Sequence, residues 1–436
     1  MTGDVAGIRH ANLWEDTSEV PAPDAPTLEA DVRADVLVIG AGYLGLSAAL
    51  HLAEAGVRDV VVLDAHHPGW GASGRNGGQV IPGLKHDPDE LEALFGRERG
   101  ERLWRFAGET ADLIFDLVRR HGLRCRARRT AWVQALHSEK AVDRAKQRTD
   151  QWRRRGAPVA FLGPADTAAV AGTDRYLGAF LDRRAGSLHP LDYARELARV
   201  AVGRGVRLHG GTPVRALRRE ESGWRADTDK GASATARTVL VCTNAYAGPD
   251  LVNADLPASV VAANSLQIAT APLPEEHRRR ILPDGEVLSD TRKVIRYWRL
   301  DDAGRLVMGG RGPYREPKAE GDWRHLVRDV RELFPFLGRE IRVTHRWGGR
   351  VAIHPDYLPR LHSPQPNLLV ALGCQGRGIG WQTAMGAELA RLTVDPAYET
   401  ALPVSRVEPI RLHRFKALGV SATVAAYRAM DRLGIG

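Results

Sequence analysis

Three stretches of this sequence combine residue types and spacings that could hold a phosphorylated ligand. The first is Gly40-Ala41-Gly42-Tyr43-Leu44-Gly45. In this GxGxxG the first glycine allows a tight turn, the second lets a pyrophosphate approach the backbone, and the third lets a helix pack close on a strand. The second stretch is Ser73-Gly74-Arg75-Asn76-Gly77-Gly78-Gln79. It is too rich in glycine and too poor in aliphatic side chains to build a core strand or a stable helix. The third is Gly373-Cys374-Gln375-Gly376-Arg377-Gly378-Ile379-Gly380, with more glycines than a helix cap needs.

The elements that must position these residues are legible around them. "ADVLVIGAGYLGLSAALHLAEAGVRDVVVLDA" reads as strand, turn, helix, strand. Val36 to Ile39 form the apolar run of a strand buried on both faces. Leu44, Leu46, Ala48, Ala49, Leu52 and Ala53 recur on one helical face, and Gly56 suits the C-cap. Val60 to Leu63 make the second strand. Asp64, at its end, can accept hydrogen bonds from ribose hydroxyls and would repel a 2′-phosphate. In that setting GxGxxG points to a dinucleotide, with NAD and FAD both open. Ser73–Gln79 follows where an NAD enzyme would carry an ordinary helix. Its backbone N–H groups could reach a pyrophosphate or a ring from a second side, although a flexible surface turn has the same composition. The loop shifts the choice towards FAD. Residues 73–78 are then expected against the cofactor, with Arg75 and Asn76 fixing the loop and Gln79 pointing at the ring.

The bulk composition suits a soluble globular protein. Its 436 residues exceed one ordinary domain, and 43% hydrophobic with 26% charged residues can bury a substantial core. No apolar run is long enough to span a bilayer, and "MTGDVAGIRH" lacks the pattern of a secretory signal. Cys125, Cys242 and Cys374 are far apart, which speaks against a disulfide framework or a structural zinc and fits a cytoplasmic setting. The net charge of +9 is spread among acids along the chain, and no nucleic-acid-binding motif accompanies it. No metal is expected.

The α/β segments are interrupted by helical and hairpin insertions. The expected fold class is α/β: a discontinuous Rossmann-like cofactor domain with an inserted antiparallel-sheet substrate domain. Residues 1–84 would be a Pro-rich arm, anchored by Trp14, and the first cofactor segment. Residues 85–185 would begin the substrate domain, 186–250 continue the cofactor domain, 251–340 complete the substrate domain, 341–400 complete the cofactor domain, and 401–436 form a tail with a helix. "HPLDYARELARVAVGRGV" reads as a helix opened by Pro190, and "KVIRYWRLDDAGRLVMGGR" as a hairpin turning near Asp302-Ala303-Gly304.

"VIGAGYLGLSAALHLAE", "GWGASGRNGGQ", "VLVCTNAYAG" and "GCQGRGIGWQTAMGAELA" together resemble the D-amino-acid oxidase family of FAD oxidoreductases. Within it, the sequence is similar to the γ-glutamylputrescine oxidase-like branch. "AGSLHPLDYARELARVA", "IRYWRLDDAGRLVMGGR", "RWGGRVAIHPDYLPRL" and "AAYRAMDRLG" extend the resemblance over nearly the whole chain. It implies that Gly40, Gly42, Tyr43, Leu44, Gly45, Asp64 and Ala65 bind the ADP half of FAD. Ser73 to Gln79 would line the pyrophosphate and flavin, Val214 would meet the adenine, and Asn244 and Ala245 would close over the cofactor. Gly349, Gly373, Gln375, Gly376, Arg377, Gly378 and Ile379 would lie at the flavin. A physical argument supports the Gly373–Ile379 positions: a helix N-terminus offers donors where flavin reduction places negative charge.

The implied chemistry is hydride removal from the carbon of an amine or amino-acid C–N bond to flavin N5, giving an imine that hydrolyses, with O2 reduced to H2O2. Tyr297 and Trp298 alternate on one strand, and the resemblance favours Tyr297 for the pocket. Arg299 or Arg311 could hold a substrate carboxylate. His354 could contact the flavin or cap its turn, and Trp347 suits core or pocket wall. No cysteine lies in "RWGGR", so FAD is expected to be non-covalent. Leu306-Val307-Met308 lacks the lysine that some relatives use towards oxygen, which leaves open a dehydrogenase passing electrons to another carrier. Gln375 and Arg377 stand where relatives often carry Ser and His. The basic tail, with Arg406, Arg411, Arg414 and Lys416 ahead of an Ala/Val-rich helix, raises a further reading as a peripheral membrane flavoprotein. The oligomeric state is not legible.

Overall fold

The computed structural model describes residues 12–411 apart from 249–250 and 339, together with 413–416, 419, 423–424, 426–427 and 430–431. Residues 1–11 and much of the tail helix read from sequence lie outside the described residues.

One sheet runs Val404–Ser405, Arg360–Gln365, Leu368–Leu372, Ser233–Val241, Val32–Ile39, Val60–Leu63, Arg207–His209. From Leu368–Leu372 to Arg207–His209 every pairing is parallel. A hairpin, Val214–Glu220 with Gly223–Thr228, continues antiparallel from Ser233–Val241. Alternate residues of the central strands enter different cores. Val36, Val38, Val60 and Val62 pack against the helices Tyr43–Glu54, Pro190–Gly203 and Gly378–Val394. Leu37, Ile39, Val61 and Leu63 pack on the other side with Trp224. Burial on both faces is why these strands read as unbroken apolar runs.

The second sheet runs Val343–Ile353, Val261–Pro272, Arg305–Arg311, Arg296–Leu300, Val287–Asp290, Trp132–Ala135, Ala179–Asp182, Val159–Leu162. It was expected to be antiparallel; one pairing, Val287–Asp290 with Trp132–Ala135, is parallel. The structure also divides two expected segments. Val343–Ile353, assigned from sequence to the last cofactor segment, pairs along its length with Val261–Pro272 of the second sheet. The helix Arg97–His121, assigned to the inserted unit, buries Leu103, Ala107, Ala111, Ile114 and Leu117 in the first sheet's core. An apolar stripe specifies a helix but not the surface it covers.

Register gives the second sheet a functional face. Ser265 lies opposite Gly349 and Arg311, Gln267 opposite Trp347 and Gly309, and Ala269 opposite Val307. Tyr297 lies opposite Gly309, and Arg299 opposite Val307. Residues two apart share a face, so Tyr297, Arg299 and Arg311 stand with Gln267, Trp347 and Gly349. Trp298, Met308, Leu266 and Ile268 turn the other way, into a separate core with Leu326, Val330 and Leu333 of the helix Arg324–Leu333. Among the described residues no helix is long and apolar enough to cross a membrane.

Candidate cofactor and substrate site

The carboxyl ends of the parallel strands form one side of the site, where open α/β sheets bind ligands. Gly40 has a φ of +107°. A Cβ on Gly45 would lie 1.9 Å from the Gly40 carbonyl oxygen, so helix and turn touch only because Gly45 has no side chain. The helix Tyr43–Glu54 opens there. Its Tyr43 N–H donates to Ser73 Oγ at 3.0 Å, while the Leu44 and Gly45 amides of the first turn are left for an anion. Asp64 accepts from the Ala41 amide at 2.6 Å and the His66 amide at 2.8 Å; burial pushes its carboxyl up against these bonds. Thr212 N–H donates to the Asp64 carbonyl, so Val214 opens its strand beside the acid. A cleft of about 620 Å³ lies alongside, lined by Ala65, His66, Trp70, Arg75 and Gly211 among others.

The Ser73–Gln79 loop is gripped from behind. Asn12 Nδ2 donates to the Gly74 carbonyl at 2.8 Å. Gln267 Nε2 and Trp347 Nε1 both donate to the Arg75 carbonyl, at 2.7 and 3.0 Å. Trp14 Nε1 donates to the Asn76 carbonyl at 2.7 Å. A trans peptide directs the next N–H opposite to its carbonyl. Holding the Arg75 and Asn76 carbonyls back therefore turns the Asn76 and Gly77 amides forward, and neither has a partner among the described residues. Asn76 ties the loop to itself: its amide donates to Tyr43 Oη and the Ala72 and Ser73 carbonyls and accepts from Gly78 N–H. Gly78 passes against Leu188 O, where a Cβ would come within 2.4 Å.

Two expectations for this loop are corrected. The Gln79 amide nitrogen, expected to be turned towards a ring, is committed to protein: it donates to the Leu288 and Trp298 carbonyls at 3.2 and 3.1 Å, stitching the loop to the second sheet. The Arg75 side chain does not brace the loop. It lies over Trp70 at 4.5 Å and lines the large cleft, and its backbone carbonyl carries the anchoring. Removing the Trp14 donor is expected to loosen the loop. Trp14→Phe should weaken FAD binding about 3–10-fold, the worth of one net hydrogen bond, read as the Kd for FAD titrated into apoprotein.

Asn244, in a left-handed turn at φ +48°, ties the ends of two parallel strands by accepting from Gly373 N–H at 2.9 Å. Ala245 is buried beside it. Gly373 and Gly376 have positive φ and lead into the helix Gly378–Val394, whose N-cap is Arg377. The first-turn amides of Gly378 and Ile379 therefore point out of the helix end. His354 and Gln375 form one buried unit: Gln375 Nε2 meets His354 Nδ1 at 3.0 Å and donates to the Leu358 carbonyl at 3.2 Å. The His354 carbonyl accepts from Tyr357 N–H, closing the turn. Burial lowers the His354 imidazole to about 4, so it is neutral at physiological pH. Arg377 turns away from its helix to donate to the Pro82 carbonyl and lie over Trp132 at 4.9 Å.

On the second sheet, Tyr297 faces the loop. Its ring would be 3.2 Å from a Cβ on Gly77, and its hydroxyl meets Ser265 Oγ at 2.8 Å. Burial pushes this phenol up to about 12, so it is a neutral donor. A Cβ on Gly309 would sit 2.1 Å from the ring carbon Cζ. Gly309→Ala should displace Tyr297 and raise KM several-fold while leaving FAD content intact, seen by steady-state kinetics beside flavin absorbance. The two arginines separate. Arg299 is buried, donates to the Leu188 carbonyl at 3.1 Å and lies over Trp14 at 5.1 Å. It serves the arm and loop, which corrects its candidacy for substrate. Arg311 stands at the opposite end of the same face, and its guanidinium makes no hydrogen bond or ion pair with any described residue.

Asn12 and Gln267 escaped the sequence reading. Asn12 and Gln267 act through side-chain to backbone bonds across 62 and 192 positions, for which no local pattern exists. The arrangement suits a dinucleotide: among the described residues the amides of Leu44, Gly45, Asn76 and Gly77 have no partner, and an acid, a cleft and a Gly-rich helix start share the site.

Comparison with known proteins agrees. The chain is 31% identical to γ-glutamylputrescine oxidoreductase of Escherichia coli (strain K12) over 94% of its length and 95% of that protein's. It is 30% identical to the probable oxidoreductase OrdL of Rhizobium meliloti (strain 1021), over 89% and 90%. Its fold is that of glycine oxidase from Geobacillus kaustophilus, with a TM-score of 0.70 at 22% identity over 87% of this chain and 99% of that one. L-proline dehydrogenase from P. horikoshii gives 0.71 at 19% identity over 88% and 99%. Residues 35–392 match the family model described as DAO, FAD dependent oxidoreductase, and the chain belongs to that family of FAD-dependent oxidoreductases.

Proposed function

We propose that this protein oxidises the C–N bond of an amine or amino acid with non-covalent FAD, giving an imine that water hydrolyses. Bound FAD supplies the two-electron oxidation. The chain's residues bind and orient. The amides of Leu44, Gly45, Asn76 and Gly77 would receive the pyrophosphate side and Asp64 the ribose. The helix start at Gly378 would face the ring edge that gains negative charge. The observation that carries the substrate reading is Arg311, whose guanidinium has no partner among the described residues and which shares a sheet face with Tyr297. An unpaired guanidinium there suits a carboxylate held in two-point contact. The neutral Tyr297 hydroxyl is a donor beside it. A buried pocket also favours the neutral amine, the form that can be oxidised.

Non-covalent attachment is supported by the absence of cysteine from "RWGGR" and by Cys242, whose buried thiol is pushed up far from its reactive range. For the acceptor, oxygen is the first reading and another carrier the second. The second is favoured by Leu306, Val307 and Met308, which are all buried and apolar, Val307 against the arm.

The test is an anaerobic flavin-bleaching screen of the purified holoprotein against amino acids, N-alkyl amino acids, γ-glutamyl amines and polyamines. Bleaching by a carboxylate-bearing amine is expected. A protein that never carries flavin, or a flavin no amine bleaches, would overturn the reading. In air, peroxide formation distinguishes oxidase from dehydrogenase, which would reduce a dye instead.

A further inference from the structure

Among the described residues Lys85 is a second cation without an acid, and Arg311 is one of the charges that bear on it. Lys85 follows the short strand Gln79–Val80, and its own carbonyl accepts from Arg148 at 3.4 Å. Its ammonium makes no hydrogen bond or ion pair with any described residue. The charged groups that bear on it are Arg377, Arg148 and Arg311, all cations. Those that bear on Arg311 are the hydroxyls of Tyr297, Tyr357 and Tyr427. The nearby acids are already committed. Asp87 accepts from Arg148 Nε at 2.5 Å, and Asp182 from Arg184 at 2.6 and 3.0 Å. Arg377 is fixed behind the same loop, with its guanidinium 2.9 Å from where a Cβ on Gly83 would stand. Among the described residues, Lys85, Arg311 and Arg377 thus have no carboxylate of their own.

Sunken cations without acids are costly unless an anion joins them. A single substrate carboxylate would satisfy Arg311 and leave Lys85 exposed to its neighbours' repulsion. We propose, resting on the reading above, that the substrate carries a second anionic group, a carboxylate distal to the reacting amine, received by Lys85 with Arg377 behind it. The same charges exclude the free cationic end of a diamine from this side of the pocket. Burial, and then the arginines, draw the Lys85 ammonium down to about 7. An anion seated on it would restore its full charge.

The experiment uses the holoenzyme with matched pairs: amino dicarboxylates against their ω-amides, and N-carboxymethyl amino acids against their N-alkyl counterparts, with putrescine as the cationic control. Anaerobic bleaching rates should favour each dianion at least 10-fold in kcat/KM. Lys85→Met should shrink that ratio towards unity through KM, and Lys85→Arg should keep most of it. Thermal melting of both variants checks the fold, and the flavin potential should not move, which separates substrate binding from an effect on the flavin. A dianion-to-amide ratio unchanged in Lys85→Met, or a preference for the amide or the diamine, overturns the proposal while leaving amine oxidation intact. If no amine bleaches the flavin, the functional reading falls, and calorimetric titration with glutarate decides the pocket. Binding that Lys85→Met loses supports it; no binding, or equal binding by both proteins, overturns it.

Discussion

Arg311→Met is expected to lower kcat/KM for a carboxylate-bearing amine by about two to three orders of magnitude. Truncating one partner of a desolvated charge pair costs roughly 2–5 kcal/mol, and each 1.4 kcal/mol is about tenfold. The loss should fall mainly on KM, because the contact exists in the bound substrate as well as during reaction. Arg299→Met is the internal control on the same strand pair. Arg299 donates to the Leu188 carbonyl and covers Trp14, so its loss should lower thermal stability and flavin retention without selectively raising KM. Burial lowers both guanidinium groups, Arg299 to about 10. Both therefore stay charged at neutral pH, and the difference between them is one of position. Steady-state kinetics and melting curves of the two variants check the assignment. Equal KM values for wild type and Arg311→Met would refute it.

Gly45→Ala is expected to abolish stable flavin incorporation. The added methyl would sit 1.9 Å from the Gly40 carbonyl oxygen and 3.0 Å from Val38 Cγ1. Both are strand and turn atoms in the centre of the molecule, so the helix Tyr43–Glu54 must retreat. Overpacking of this kind costs roughly 1–3 kcal/mol or more. The helix cannot retreat freely, because Gly386 of Gly378–Val394 lies on its other side, where a Cβ would be 2.6 Å from Leu44 O. A displacement near 1 Å of positioned groups is worth about 100-fold in function. The variant should purify colourless, melt several degrees lower, and show an FAD Kd raised by about two orders of magnitude. A yellow protein with wild-type melting would contradict the packing argument.

Much of this protein could be read locally. The βαβ unit, its glycines and Asp64 follow from an apolar run, a helical stripe and a turn, all within one short span. The glycines of Ser73–Gln79 announced a loop of special shape, and Pro190 a helix start. These features depend on backbone sterics and on 2.0- and 3.6-residue periodicity, which the chain carries without reference to its fold. The split between Arg299 and Arg311 was not readable. Both lie on one face at even spacing, and only the seating of Leu13 and Trp14 over Val307 and Ala269 covers one end and leaves the other open. Gln79 was misplaced for the same reason: its partners are carbonyls of Leu288 and Trp298, strands far away in sequence.

The sequence by itself determined the cofactor class and the segments that could hold it, because glycine conformation and strand burial are properties of short stretches. Only the tertiary structure decided which way the Ser73–Gln79 amides face. Asn12, Trp14, Gln267 and Trp347 hold its carbonyls from the opposite side. It also placed Lys85 within electrostatic reach of Arg311 and Arg377. Charge compensation in a buried pocket is set by which groups meet in space, and a linear chain of alternating acids and bases does not show which cations will be left without a partner.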